Sequence, residues 1–235
     1  MNYVLLERED FVGDDRVRLE GRRLLHVREI LGSASGDELR VGVIGGKTGR
    51  ARVERVDGNA LEMTVQVEND PPDPLPLRLI LALPRPKVLN RTIAAAASMG
   101  IREIDLINSW RVEKSYWKSP RLSADNLRLH SILGLEQAGD TILPTIRLHR
   151  LFKPFVRDEL PNSIGDRMAL LADPQGTAEA PRNVRQPVVL AIGPEGGFID
   201  QEMQTFREIG FTPVNLGPRI LRVETAVACL IGRLF

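Results

Sequence analysis

"VVLAIGPEGGF", residues 188–198, decides how the second half of this chain is read. Five apolar residues, Val188 to Ile192, run directly into Gly193-Pro194-Glu195-Gly196-Gly197. A short continuous apolar run is the mark of a strand buried on both faces, as in a parallel sheet. The strand gives way to a loop with almost no side chains except one carboxylate. In open α/β sheets ligands bind beyond the carboxyl ends of the strands. Glycines let a ligand press against the backbone, and bare N–H groups become donors. The loop is not Gly-x-Gly-x-x-Gly, so a dinucleotide fold is not indicated. A tight turn with no ligand is the competing reading.

Working outward, the same strand–helix alternation fills residues 77 to 235. Strands are expected over 77–83, 101–108, 168–172, 188–192 and 211–216. Helices are expected over 87–100, 122–138, 200–210 and 224–235, with Asp200 as an N-cap and Gly210 as a stop. Such alternation defines an α/β domain with a parallel sheet. "NDPPDPLPL", 69–77, holds four prolines and reads as a stiff connector. Before it, 37–44, 50–56 and 61–67 alternate like strands of an antiparallel meander, with turns at 45–49 and Asp57-Gly58. A small β-barrel or sandwich is expected there, flanked by a helix over 20–31.

Composition excludes several classes. The chain has 235 residues, 43% hydrophobic and 27% charged, with a net charge of +1. This is ordinary globular composition, with no uniform positive coat. No stretch approaches the ~20 apolar residues of a membrane span, and the N-terminus lacks a signal-peptide core, so the expected compartment is the cytoplasm. The one cysteine, Cys229, sits in an apolar run and is expected to be buried. Gly46-Lys47-Thr48 matches the tail of a P-loop, but Val41 stands where that motif needs glycine. His26, His130 and His149 have no ligand spacing, so no metal is expected. No Gly-x-Ser-x-Gly elbow supports a hydrolase.

"LGPRILRVETA", 216–226, repeats the pattern of the opening stretch: strand, Gly217-Pro218, helix. Two Gly-Pro loops at the ends of neighbouring strands form two walls of one expected pocket. Arg219, Arg222 and Glu224 gather near its helix start.

These paired motifs closely resemble the C-terminal signature of the SPOUT-class RNA methyltransferases, and the RsmE family in particular, which methylates N3 of a uridine in small-subunit (16S) ribosomal RNA. "HVREIL" (26–31) with "GDEL" (36–39) resembles that family's N-terminal PUA-like barrel. Glu136-Gln137 and "LLADPQG" (170–176) resemble its catalytic domain. The resemblance implies a PUA-like RNA-binding barrel over 1–72 and a trefoil-knotted SPOUT methyltransferase domain over 73–235. It implies S-adenosyl-L-methionine as cofactor, no metal, a homodimer with RNA sites shared between subunits, and ribosomal RNA or the small ribosomal subunit as partner. Carried over by residue, Leu171 borders the cofactor. Ile192, Gly193 and Gly197 form one wall, and Leu216, Gly217, Ile220 and Leu221 the other. The chain departs from the family pattern at Gly32, at Ser98-Met99-Gly100 and at Ala138-Gly139-Asp140.

Uridine N3 is a poor nucleophile until it loses its proton, so a base or a cation near the uracil oxygens is needed. Arg222 is the expected cation, with Glu195 and Glu224 as carboxylate candidates. Glu195 has a second reading, support of its own loop. RNA contacts are expected from Arg22, Arg23 and Arg28, in a cluster with Arg16 and Arg18, and from Lys114 and Lys118 beside Arg121, Tyr116 and Trp117. A solvated charged face is the alternative for both groups. Two other functions stay open: another RNA target such as a tRNA ribose 2′-hydroxyl, or a non-catalytic RNA-binding assembly factor.

Overall fold

The alternation of buried and exposed residues folds the chain into two units, which a computed structural model describes over residues 3–235. One unit comprises the residues up to Asp73 together with Ile132–Leu143; the other comprises Pro74–Ser131 and Pro144–Phe235.

The first unit is built on a five-stranded sheet. Its strands are β1 (Tyr3–Leu6), β2 (Arg16–Leu19), β3 (Glu38–Val43), β4 (Thr48–Val56) and β5 (Leu61–Asn69), in the order β1-β3-β4-β5-β2. The meander β3-β4-β5 is antiparallel, and β1 joins β3 in parallel. On β4, Ala51 and Val53 turn inward while Arg50 and Arg52 face water, the period-2 pattern of a half-buried strand. Val4, Leu6, Val17, Leu19, Val41, Val53, Leu61 and Met63 make its core. Helix α1 (Gly21–Leu25) continues as a wider-wound turn over His26–Leu31 and adds Leu24 and Val27 to that core. It ends on Gly32 at φ 65°, a left-handed cap.

The second unit carries a six-stranded sheet. Its strands are β6 (Leu77–Ala82), β7 (Glu103–Ile107), β8 (Thr145–His149), β9 (Met168–Ala172), β10 (Val188–Ile192) and β11 (Thr212–Val214). Their order is β11-β9-β10-β6-β7-β8, and every pairing is parallel. β6 and β10 are buried at every residue, as helices on both faces require. The helices are α2 (Pro86–Ser98), α4 (Pro161–Ile164), α5 (Asp200–Glu208) and α6 (Val223–Leu234). α3 (Ala124–Ala138) is divided between the two units.

Several expectations change. β10 and β11 are not neighbours, because β9 lies between them. Asp200 is the first residue of α5 and Ile199 its cap; the Glu202 carboxylate reaches back 3.1 Å to accept from the Ile199 N–H. Cys229 is exposed. The buried stripe of α6 is Val223, Val227, Leu230, Ile231 and Leu234, and helical spacing puts residue 229 on the opposite face. Strands β1, β2 and β8 had no sequence expectation. The segment after β9 pairs with β11 at Asn215. The Asn215 N–H donates to Ala178 O at 2.8 Å, and the Ala180 N–H donates to Asn215 O at 2.8 Å. Val184 N–H then donates to Leu234 O at 2.8 Å, tying the segment after β9 to the end of α6.

One buried charge network crosses the sheet. Arg78 Nε donates to Asp105 Oδ2 at 2.7 Å, and His149 Nε2 lies 2.8 Å from Asp105 Oδ1. Arg78 also donates to Ser163 Oγ at 2.8 Å. Asp105 is fully buried, so removing its charge strands a guanidinium in the core. Asp105→Ala should lower unfolding free energy by about 3–5 kcal/mol in urea titrations; a loss under about 1 kcal/mol would contradict this role. A second expectation concerns Tyr3. Burial pushes its phenol up to about 12, with Asp140 adding and Arg40 over the ring opposing. The raised folded value stabilises the fold fully below pH 10.0, the ordinary tyrosine value, and that stabilisation is lost as pH rises through about 12. Ultraviolet titration should find one tyrosine ionising near 12; two ordinary transitions would rule it out.

Candidate functional site at the carboxyl ends of the sheet

β11, β9 and β10 end side by side, so the loops after them leave one edge of the sheet together. The loop after β10 is closed on itself. Gly197 N–H donates to Pro194 O at 2.8 Å, and Gly197 sits at φ 74°. A Cβ on Gly193 would lie 3.0 Å from Phe198 N and 3.2 Å from its ring, so only glycine fits without displacement. Phe198 anchors the loop, its ring 5.1 Å from that of Phe206 on α5. At Gly196 the stem of Arg111 lies against the backbone, 3.0 Å from where a Cβ would stand, and the Arg111 guanidinium donates to Gly196 O. Part of the glycine requirement therefore comes from packing inside the protein.

Glu195 has a specific partner. Its Oε1 accepts from the Arg85 N–H at 3.1 Å, at the cap of α2. A carboxylate there satisfies a free amide and meets the positive end of the helix dipole. Glu202 plays the matching part at α5. It is buried, and accepts from Trp110 N–H at 2.8 Å as well as from Ile199. Burial pushes its pKa up, while these two bonds and Arg111 oppose the shift.

The loop after β11 differs. Asn215 Oδ1 accepts from Gly217 N–H at 2.8 Å, an Asx-type turn. Gly217 takes φ 103°. From Arg219 to Leu221 the backbone has no hydrogen-bond partner among the described residues, and Ile220 is 82% exposed. Leu216 and Leu221 are half-buried, while Leu171 and Ile192 are buried at the strand ends. Arg222 caps α6 in extended conformation, exposed and without an ion pair among the described residues. Glu224, in the first turn of α6, lies 3.5 Å from Arg91 on α2.

The expected RNA-facing residues divide. Arg22 makes a two-pronged pair with buried Glu136, at 2.9 and 3.0 Å. Arg23 does the same with Asp10, at 2.5 and 2.6 Å, and also donates to Leu5 O. Both guanidinium groups are engaged inside the first unit. Arg28 pairs with Glu29 at the surface. Asp140 is buried and builds its turn by accepting from the N–H of Thr141 and of Ile142. Lys114 and Lys118 are exposed. Trp117 is buried: its Nε1 donates to Asn108 Oδ1 at 2.9 Å and Arg150 covers its ring. Its ring is not available for stacking on a base. Arg111, Glu202 and Asn215 were missed in the sequence. Arg111 meets Gly196 across 85 positions, which no local pattern reveals. Asn215 two residues before a glycine is a turn signal that was present.

Among the described residues no group of three or more His, Cys, Asp or Glu could hold a metal ion, and no helix is long and apolar enough to cross a membrane. The fold defines an α/β domain whose glycine-rich loops leave the carboxyl edge of a parallel sheet together. Comparison with known proteins makes this specific. Residues 71–234 match the model of the RNA methyltransferase domain family. The ribosomal RNA small subunit methyltransferase E of Treponema pallidum is 31% identical over 98% of this chain and 90% of its own. The methyltransferase E 1 of Borreliella burgdorferi is 24% identical over 96% and 94%. A crystal structure of a methyltransferase E from Neisseria gonorrhoeae, bound to S-adenosyl methionine, covers 98% of this chain and 95% of its own at 26% identity and TM-score 0.78. The chain belongs to this family of RNA methyltransferases, in its small-subunit methyltransferase E branch.

Glu195→Ala should cost about 0.5–1 kcal/mol of stability through the start of α2, and Glu195→Gln clearly less, because the amide oxygen still accepts. Chemical denaturation measures both. An alanine variant as stable as the parent would remove the capping role.

Proposed function

We propose that this chain transfers the methyl group of S-adenosylmethionine to N3 of a uridine in small-subunit (16S) ribosomal RNA. The observation that carries the reading is the pair of glycine-proline loops at the ends of β10 and β11, one of them with unpartnered backbone among the described residues, in a chain of this family. The residues present fit the cofactor. The unpartnered backbone of 219–221 offers donors and acceptors to the edge of an adenine, and Ile220 offers an apolar face. Leu171, Ile192, Gly193 and Gly197 would line one side; Leu216, Gly217, Ile220 and Leu221 the other. When bound, the cofactor supplies an electrophilic methyl on a sulfonium.

The chain's own residues would do the rest. Positioning contributes most where reacting groups are aligned, with effective molarities of about 10⁵ M or more. Arg222 stands free at the amino end of α6, where the guanidinium and the helix dipole act in the same direction. It would stabilise the uracil oxygens as N3 loses its proton. Glu224, two residues on, is the carboxylate candidate on the same element. Glu195 supports α2, and a second part in proton transfer would act from that anchored position.

The wider reading rests on the same family. A trefoil knot over 73–235 agrees with the segment after β9 bonding to both Asn215 and the end of α6. Such threading is otherwise rare. A PUA-like RNA-binding barrel over 1–72 agrees with the curled β1–β5 sheet. A homodimer would cover the small-residue face of α6, where Thr225, Ala228, Cys229 and Gly232 are exposed. RNA phosphates would meet Lys114, Lys118 and Arg28, with Arg22 and Arg23 shaping the first unit. The expected compartment is the cytoplasm.

Ribosomal RNA from cells with and without the protein should differ by one N3-methyluridine in nucleoside mass analysis. A 2′-O-methyl nucleoside would move the reaction to ribose, and no change would favour a non-catalytic assembly factor. Arg222→Ala should lower turnover about 10²–10³-fold with cofactor affinity kept; full turnover at saturating cofactor would overturn the role.

A further inference from the structure

Of the two tryptophans, one is buried and one is not. Trp110 is 79% exposed, while Ser109 before it is 3% and Val112, two residues on, 7% exposed. A large flat apolar ring held in water on an ordered segment is unusual, because tryptophan is highly buried on average. The segment is fixed at several points. Asn108 N–H donates to His149 O at 2.9 Å, and Val112 N–H donates to Ser109 O at 3.1 Å. The Trp110 N–H itself donates to buried Glu202 at 2.8 Å. Arg111, the next residue, is bonded to Gly196 O in the loop after β10. The Trp110 backbone is therefore tied to α5, and the side chain of Arg111 beside it to the loop after β10.

The surroundings define what would lie on that ring. Lys114 and Lys118 are exposed in the same loop, and the Arg111 and Arg85 guanidinium groups flank the site loop. The acids nearby are already engaged: Glu113 accepts from Tyr116 at 3.2 Å, and Glu195 from Arg85. An exposed aromatic ring in a loop that also carries the exposed Lys114 and Lys118 suits an unpaired nucleobase with its phosphates, since stacking is how proteins hold splayed RNA bases.

We propose that Trp110 is a stacking platform for an unpaired base of the RNA substrate, beside the methyl-transfer crevice. The proposal rests on the reading of the chain as an RNA methyltransferase, and names the residue that the buried Trp117 cannot replace. Trp110 would act in binding, without touching the transferred methyl group.

The test compares the parent, Trp110→Ala and Trp110→Phe on unmethylated small-subunit ribosomal RNA, with steady-state kinetics, cofactor calorimetry and sedimentation. Trp110→Ala should raise KM for RNA about 10-fold or more, the scale of a lost stacked base. Its kcat should stay within about threefold and its cofactor affinity unchanged, and Trp110→Phe should restore most of the KM. RNA should quench tryptophan emission in the parent and far less in Trp110→Ala. An unchanged KM in Trp110→Ala would overturn the proposal. So would a change in oligomeric state on that substitution, which would assign the ring to contact between two copies. If the parent methylates no RNA at all, the underlying reading fails first, and the two failures are distinguishable.

Discussion

The site depends on one constraint: the parallel pairing of β10 with β9 and β6. Parallel strands present all their carboxyl ends on one edge, so every loop that leaves a strand end arrives at the same place. β10 is buried along its whole length and cannot shift register without exposing its apolar residues. The loop at 193–198 is thus delivered to a fixed point. β9, between β10 and β11, sets the spacing of the two glycine-proline loops and puts Leu171 between them.

Around that fixed edge, long-range polar contacts hold the loops in shape. Arg111 clamps Gly196, Glu195 caps α2, Glu202 ties Trp110 to the start of α5, and Asn215 joins the segment after β9 to β11. Each joins groups distant in sequence, and most use a backbone amide or carbonyl. That accounts for a loop with so few side chains being ordered. The contrast is the stretch 219–221, whose backbone has no such partner among the described residues. One loop is internally satisfied, and the other leaves its backbone groups without partners among the described residues.

Much of this was legible in the amino-acid order. The apolar runs at 168–172 and 188–192 coincide with β9 and β10, because a strand buried on both faces leaves an uninterrupted local signal. The glycine-proline repeat puts both loops at the carboxyl edge of one parallel sheet, as the order of strands in the chain suggests. What stayed hidden was non-local. Arg78 inside β6 looks like an exception to an apolar run, and only Asp105 on the adjacent strand explains it. β8 is an edge strand with mixed exposure and carries no clean period. Trp117 was expected to face RNA and is buried instead, because Asn108 and Arg150 hold its ring, a contact no local pattern reveals. The resemblance implies that Gly193 lines the cofactor, but part of its necessity is packing against Phe198, as Arg111 accounts for part of that of Gly196.

The central claim is that the crevice between these loops binds S-adenosylmethionine. Calorimetric titration of the folded chain with S-adenosylmethionine, alongside a Gly193→Val variant, tests it most directly. The predicted result is saturable binding to the parent, with heat lost in Gly193→Val while circular dichroism keeps the parent's secondary structure. A folded parent that takes up no S-adenosylmethionine, or a folded Gly193→Val that binds as tightly as the parent, would contradict the account.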